Sequence, residues 1–191
     1  MLRTRRDAST KVKVCAVGEE AVGKTSLIRR YVADTFEEEY TRSIGTLLSK
    51  KTIKVEDAEG HPVKVDAVIW DIMGRRSFTD LLKGAYFQRA RGVFAVCDIT
   101  RRQTLGALHG WLVKFRSAVG LAPAVIMVNK SDLHGKARIS EKDVMKIGKT
   151  YGAPHFLTSA KTGRNVSEAF ESLMREILRP GKQKVSGPRG E

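Results

Sequence analysis

Residues 18–25 read Gly-Glu-Glu-Ala-Val-Gly-Lys-Thr, a G-x-x-x-x-G-K-T pattern whose parts suit the cradling of a polyphosphate. Gly18 and Gly23 let the backbone curl until successive N–H groups point inward at phosphate oxygens. A helix that starts here adds partial positive charge at its N-terminus. Lys24 would reach the β- and γ-phosphates, and the Thr25 hydroxyl would hold Mg²⁺. The candidate nucleotide contacts in this stretch are Gly18, Glu20, Ala21, Val22, Gly23, Lys24, Thr25 and Ser26. The pattern needs a strand before it and a helix after it. The apolar run 11–17 reads as a buried strand. Leu27, Ile28, Tyr31 and Val32 fall on one face of a helix over 25–33.

Three further segments could act on the same ligand. Trp70-Asp71-Ile-Met-Gly74 ends an apolar run. Asp71 is placed there to hold Mg²⁺, directly or through water, and the Gly74 N–H can approach a γ-phosphate because no Cβ obstructs it. Asn129-Lys130-Ser-Asp132 ends another run. An ionised carboxylate only accepts hydrogen bonds, so Asp132 suits the adjacent N1–H and N2–H₂ donors of guanine, which adenine lacks. The stem of Lys130 can lie against the base plane while Asn129 braces neighbouring loops. Thr158-Ser159-Ala160-Lys161 ends a third run, where the Ala160 N–H can donate to guanine O6. Each tetrapeptide alone is an ordinary polar loop. The information lies in four segments in order, each at a strand end.

Those strand ends require a particular scaffold. Apolar runs at 12–17, 48–56, 63–71, 92–98, 124–129 and 154–158 predict strands, and 24–33, 78–89, 105–118, 141–151 and 166–178 predict helices. Asp57-Ala-Glu-Gly60 reads as a hairpin turn between the second and third strands. The other strands are joined through helices. The result is a mostly parallel α/β sheet with one antiparallel pair near an edge, whose ligands bind at the C-terminal ends of the strands.

Composition sets outer limits. At 191 residues and 41% apolar content, one folded domain over 11–179 is expected, with a basic tail over 1–10 and a basic polar tail over 180–191. Five of the first thirteen residues are basic, and the net charge is +14. Such tails suit an anionic membrane surface, RNA or an acidic partner, or serve solubility alone. There is no run of 18 apolar residues to span a membrane. Cys15 and Cys97 sit in apolar runs, as buried thiols of a reduced cytoplasmic protein do.

On these residues the chain resembles a Ras-superfamily small GTPase, nearest in pattern to the Rab-like branch, from about Val12 to Leu178. The resemblance rests on the four segments above and on Tyr40-Thr-Arg-Ser43-Ile-Gly45. It implies an α/β P-loop NTPase fold, a mostly parallel six-stranded sheet with one antiparallel strand, flanked by five helices. It also implies GTP and GDP with Mg²⁺ as cofactors, and protein effectors and regulators as partners. Two segments, before the second strand and after the third, close on the γ-phosphate and relax after hydrolysis. Phe36 matches the aromatic beside the guanine. Ser43 stands in place of the threonine that completes the Mg²⁺ shell. The implied catalytic set is Lys24, Ser43, Gly74 and Arg75.

Departures from the family pattern cluster at the γ-phosphate. Arg75 stands where most members have the glutamine that orients water. Arginine has five donors and no acceptor. It either fails to position water or acts as an arginine finger in cis. Glu20 stands where many members have a small residue, and either pairs with Arg75 or Arg76 or points to solvent. The last twelve residues hold no cysteine and residue 2 is Leu, so neither prenylation nor myristoylation is expected. The expected function is a slow GTP-hydrolysing switch. A GTP-binding module with negligible hydrolysis and a ribosome- or RNA-linked GTPase are the alternatives.

Overall fold

The computed structural model describes residues 9–36, 47–57, 59–72, 74 and 83–179. Within them the chain runs β1 (Thr10–Val17), α1 (Lys24–Ala33), β2 (Leu47–Glu56), β3 (Pro62–Asp71), α2 (Lys83–Phe87), β4 (Gly92–Asp98), α3 (Arg102–Val119), β5 (Ala124–Asn129), α4 (Glu141–Tyr151), β6 (His155–Leu157) and α5 (Val166–Leu178). The six strands form one sheet in the order β2-β3-β1-β4-β5-β6. Only the β2–β3 pair is antiparallel, from Leu47 opposite Asp71 to Glu56 opposite Pro62. Asp57 closes that hairpin, its Oδ1 accepting from the N–H groups of Glu59 and His61, with Gly60 at φ 80°.

Strict alternation along β1 sends its side chains to two cores. Val12, Val14 and Ala16 pack with α1 and α5, while Cys15 and Val17 pack with α2, α3 and α4. Tyr31 of α1 stacks on Phe170 of α5, ring centroids 3.9 Å apart, which fixes the helix that leaves the candidate phosphate loop. Burial pushes the Cys15 and Cys97 thiols up to about 12. Both therefore stay protonated and unreactive at pH 8. The native protein is expected to take up no maleimide at that pH and to label at both cysteines once denatured. Labelling of either in the native state would show that the sheet opens at that strand.

Several boundaries differ from the expected ones: β1, β2 and β3 each begin one or two residues early, α3 ends one residue late, and three larger differences have identifiable causes. α3 begins at Arg102 rather than residue 105, because its first turn, Arg102-Gln-Thr104, is polar and carries no apolar period. β6 is only His155–Leu157, since Pro154 has no N–H to give the ladder. α2 ends at Phe87 rather than residue 89, because Arg89 turns left-handed at φ 60° to enter β4. Residues 78–82 of that expected helix lie outside the described residues. A 3₁₀ segment over Ser131–Lys136, broken at Leu133, adds to the expected elements. No helix among the described residues is long and apolar enough to cross a membrane.

Candidate functional site

β1 has neighbours on both sides, β3 and β4, so the loop leaving its C-terminal end lies where the chain changes direction across the sheet. Its two glycines are required by space as well as by backbone angle. Gly18 has φ 142°, and a Cβ there would lie 2.2 Å from the Val96 carbonyl oxygen. Gly23 has φ 93°, and its Cβ would lie 2.3 Å from Asn129 Nδ2. Between them Ala21 is also left-handed, at φ 59°. Gly74 has a different reason. A Cβ there would strike the backbone of Glu19 and Glu20 at 2.5 Å, so the chain at Gly74, beyond the end of β3, can lie against this loop only without one.

Lys24 opens α1 and is buried, its Nζ donating to the carbonyl oxygens of Gly18 and Glu19 at 2.9 Å each. Burial lowers its ammonium to about 8, against the pull of Asp71 and of Glu19 and Glu20. One residue on, Thr25 Oγ1 donates to Asp71 Oδ2 at 2.5 Å. Asp71 is buried as well, and burial raises its carboxyl despite the Thr25 hydrogen bond and Lys24. A buried cation and a buried carboxylate are thus both pushed toward their neutral forms. An anion against Lys24 and a hard cation at the Thr25 and Asp71 oxygens would relieve both. The residues present fit a polyphosphate with Mg²⁺. Ser26 lies half-buried in the first turn of α1.

The second half of the site lies at the ends of β5 and β6. Asn129 is buried and joins three segments, its Nδ2 donating to Val22 O at 2.9 Å and its Oδ1 accepting from Ala160 N at 3.2 Å. The Ala160 amide expected to face guanine O6 is therefore engaged by Asn129 here, at a length a base carbonyl could share. Ser159 Oγ donates to Asp132 Oδ1 at 2.5 Å, which fixes the carboxylate plane. Lys130 is held at φ 64°, with Nζ 2.7 Å from Asp98 Oδ2. Lys161 is exposed beside them, its carbonyl accepting from Arg30. Phe36 is half-buried and packs against the α1–α5 core. Ser43, Arg75 and Arg76 lie outside the described residues, and with them the expected Glu20 pairing.

Two contributors carried different degrees of sequence signal. Arg30 of α1 donates from Nε to Ala160 O at 2.8 Å and from Nη2 to Lys161 O at 2.9 Å. It is one of two adjacent arginines on α1, so nothing in the sequence singles it out. Asp98 does carry a signal, since it ends an apolar strand as Asp71 and Asn129 do. Its side chain is 1% exposed. Burial pushes its carboxyl up, but hydrogen bonds from Lys130 and Thr100 together hold it below the usual carboxylate range.

Comparison with known proteins agrees with this arrangement. The model of the Ras family matches residues 13–179. The chain is 32% identical over 177 residues to Ras-related protein Rab-13 of Canis lupus familiaris, covering 92% of this chain and 84% of that protein. It is 31% identical over 175 residues to Ras-related protein Rab-21 of Geodia cydonium, covering 91% and 74%. It is 32% identical over 176 residues to Ras-related protein RABA2d of Arabidopsis thaliana, covering 92% and 78%.

Proposed function

The chain belongs to the Ras family, and from that premise we propose a guanine-nucleotide switch, formed by residues 11–179, that hydrolyses GTP slowly and presents 40–49 and 75–82 to an effector. As a Rab-like family member it is a small GTP-binding protein that uses GTP, GDP and Mg²⁺. The observation that carries the finer reading is the placing of a buried Lys24 ammonium beside the half-buried Thr25 hydroxyl and the buried Asp71 carboxylate at the mouth of a glycine-bounded loop. Mg²⁺ supplies neutralisation of charge on the phosphates when bound. The chain's residues do the rest. Lys24 neutralises the β- and γ-phosphate oxygens, and Thr25, Asp71 and Ser43 offer oxygens to the metal. Asp132 accepts from guanine N1–H and N2–H₂, with Lys130 and Phe36 against the base. Ser159, Ala160 and Lys161 close the far side. The Gly74 N–H senses the γ-phosphate.

Arg75 favours a second reading, in which the protein holds GTP and barely hydrolyses it. The switching reading separates from it through the metal. Thr25→Ala is expected to speed release of both GDP and GTP by about tenfold or more, because the loop engages the metal in both states. Ser43→Ala is expected to act mainly on the GTP complex, since its segment is released after hydrolysis. Dissociation rates measured with and without a chelator check both. Equal effects of Ser43→Ala on the two complexes would contradict a switching role.

A further inference from the structure

Asp98 ends β4, and its two carboxylate oxygens have separate duties. Oδ1 accepts from the Thr100 N–H at 2.9 Å and the Thr100 hydroxyl at 2.7 Å, which shapes the turn into α3. Oδ2 holds two cations, Lys130 Nζ at 2.7 Å and Arg101 Nε at 3.0 Å. Arg101 then continues outward. Its Nη2 donates to the carbonyl oxygen of Glu20, at 3.1 Å, in the candidate phosphate loop. Thr104 holds the other end, its Oγ1 donating to Arg101 O at 2.7 Å. A charged chain therefore runs from Lys130 through Asp98 and Arg101 to Glu20. It is separate from the neutral bridge that Asn129 makes between Val22 and Ala160.

The Glu20 carbonyl is a significant place to hold. The peptide that carries it leads into Ala21, whose φ of 59° is unfavourable for any residue with a Cβ. Such a conformation persists where its surroundings over-determine it. A guanidinium on the preceding carbonyl does so, and it draws its own orientation from a carboxylate that is almost fully buried. A fork of five donors can serve Asp98 and Glu20 together, whereas a lysine, a single point charge, can satisfy only one of them at this geometry.

The geometry points to Arg101 as a positioning residue for nucleotide retention, one that clasps the phosphate loop to the base loop without touching the nucleotide. This rests on the guanine-nucleotide reading above. When phosphates leave, the loop must loosen, and the Arg101–Glu20 contact opposes that. Its loss is expected to raise release of GDP and GTP alike, because both occupy both loops.

The test uses the full chain loaded with fluorescent GDP and chased with excess unlabelled GDP. Arg101→Gln is expected to release nucleotide about tenfold faster than the wild type, in keeping with loss of the charge-assisted hydrogen bond that reaches the Glu20 carbonyl. Arg101→Lys is expected to be nearly as fast, because it cannot serve both partners. Arg102→Gln is the control. Arg102 pairs with Asp143 on the outer surface, at 2.7 Å, and its loss is expected to leave release unchanged. Melting temperatures give a readout that a merely structural role would not reproduce. Arg101→Gln is expected to lower that of the GDP-loaded protein more than that of the stripped protein. Failure of the wild type to load guanine nucleotide overturns the reading of the site and this inference with it. Loading followed by release within twofold of wild type in Arg101→Gln overturns the inference alone, as does equal acceleration in Arg102→Gln.

Discussion

Replacing Asp132 by Asn is expected to weaken GTP binding by about 2–4 kcal/mol, roughly 30- to 1000-fold, and to turn base preference toward xanthine nucleotides. Ser159, fully buried, holds one carboxylate oxygen at 2.5 Å and so fixes the direction of the other. An amide in the same place keeps one acceptor and presents two N–H donors. Against guanine, a donor then faces the N1–H or N2–H₂ group and leaves it unpaired in a desolvated pocket, where the cost is the full desolvation penalty. Xanthine has a C2 oxygen that accepts the same donor. Competition binding with GTP, XTP and ATP checks this. Unchanged GTP preference in Asp132→Asn would remove Asp132 from base recognition, whatever else the loop does.

Arg75→Gln is expected to accelerate GTP hydrolysis by about 10²-fold, the low end of what a well-placed acid–base group contributes. Glutamine offers both a carbonyl that accepts from the attacking water and an amide that donates, whereas arginine only donates. On this account Arg75 leaves the water unoriented, and the wild type turns over slowly. The opposite outcome has its own mechanism. Were Arg75 a finger in cis, its removal would slow the reaction by about 10³-fold or more, and the wild type would turn over fast without any partner. Glu20 is the residue proposed to hold Arg75. Single-turnover release of γ-phosphate from the wild type, Arg75→Gln, Glu20→Gly and the double variant completes the cycle. Strictly additive effects would dismiss the Glu20–Arg75 pair.

The scaffold was legible because its signals are local and repeated. The apolar runs of β1, β4 and β5, and the Leu27, Ile28 and Tyr31 face of α1, each report burial directly. The four loop segments were legible because each puts residues of restricted chemistry at a strand end. Boundaries failed where that signal is absent, as in the polar first turn of α3, or where a single backbone angle decides, as at Arg89. The cross-links of the site were less visible still. Asp98 could have been found by its position, but no spacing rule brings Arg30 to Ala160 O, 130 residues away in sequence, or Arg101 to Glu20 O. Those contacts exist only once the sheet order has set β1, β4, β5 and β6 side by side. The sequence also misses that Asn129 occupies the Ala160 amide, because that depends on the side-chain geometry of two loops meeting.

The activity proposed for this chain is that of a GTP-binding and GTP-hydrolysing switch. Its most direct test is the identity and fate of the nucleotide that the purified protein carries. The protein is isolated with Mg²⁺ present, and its nucleotide is released by denaturation and identified by chromatography. A second sample is loaded with γ-labelled GTP and followed through a single turnover. Retained guanine nucleotide and a slow, Mg²⁺-dependent conversion of GTP to GDP and phosphate are the expected results. Retention of adenine nucleotide, or failure to hold guanine nucleotide in the presence of Mg²⁺, would contradict that activity.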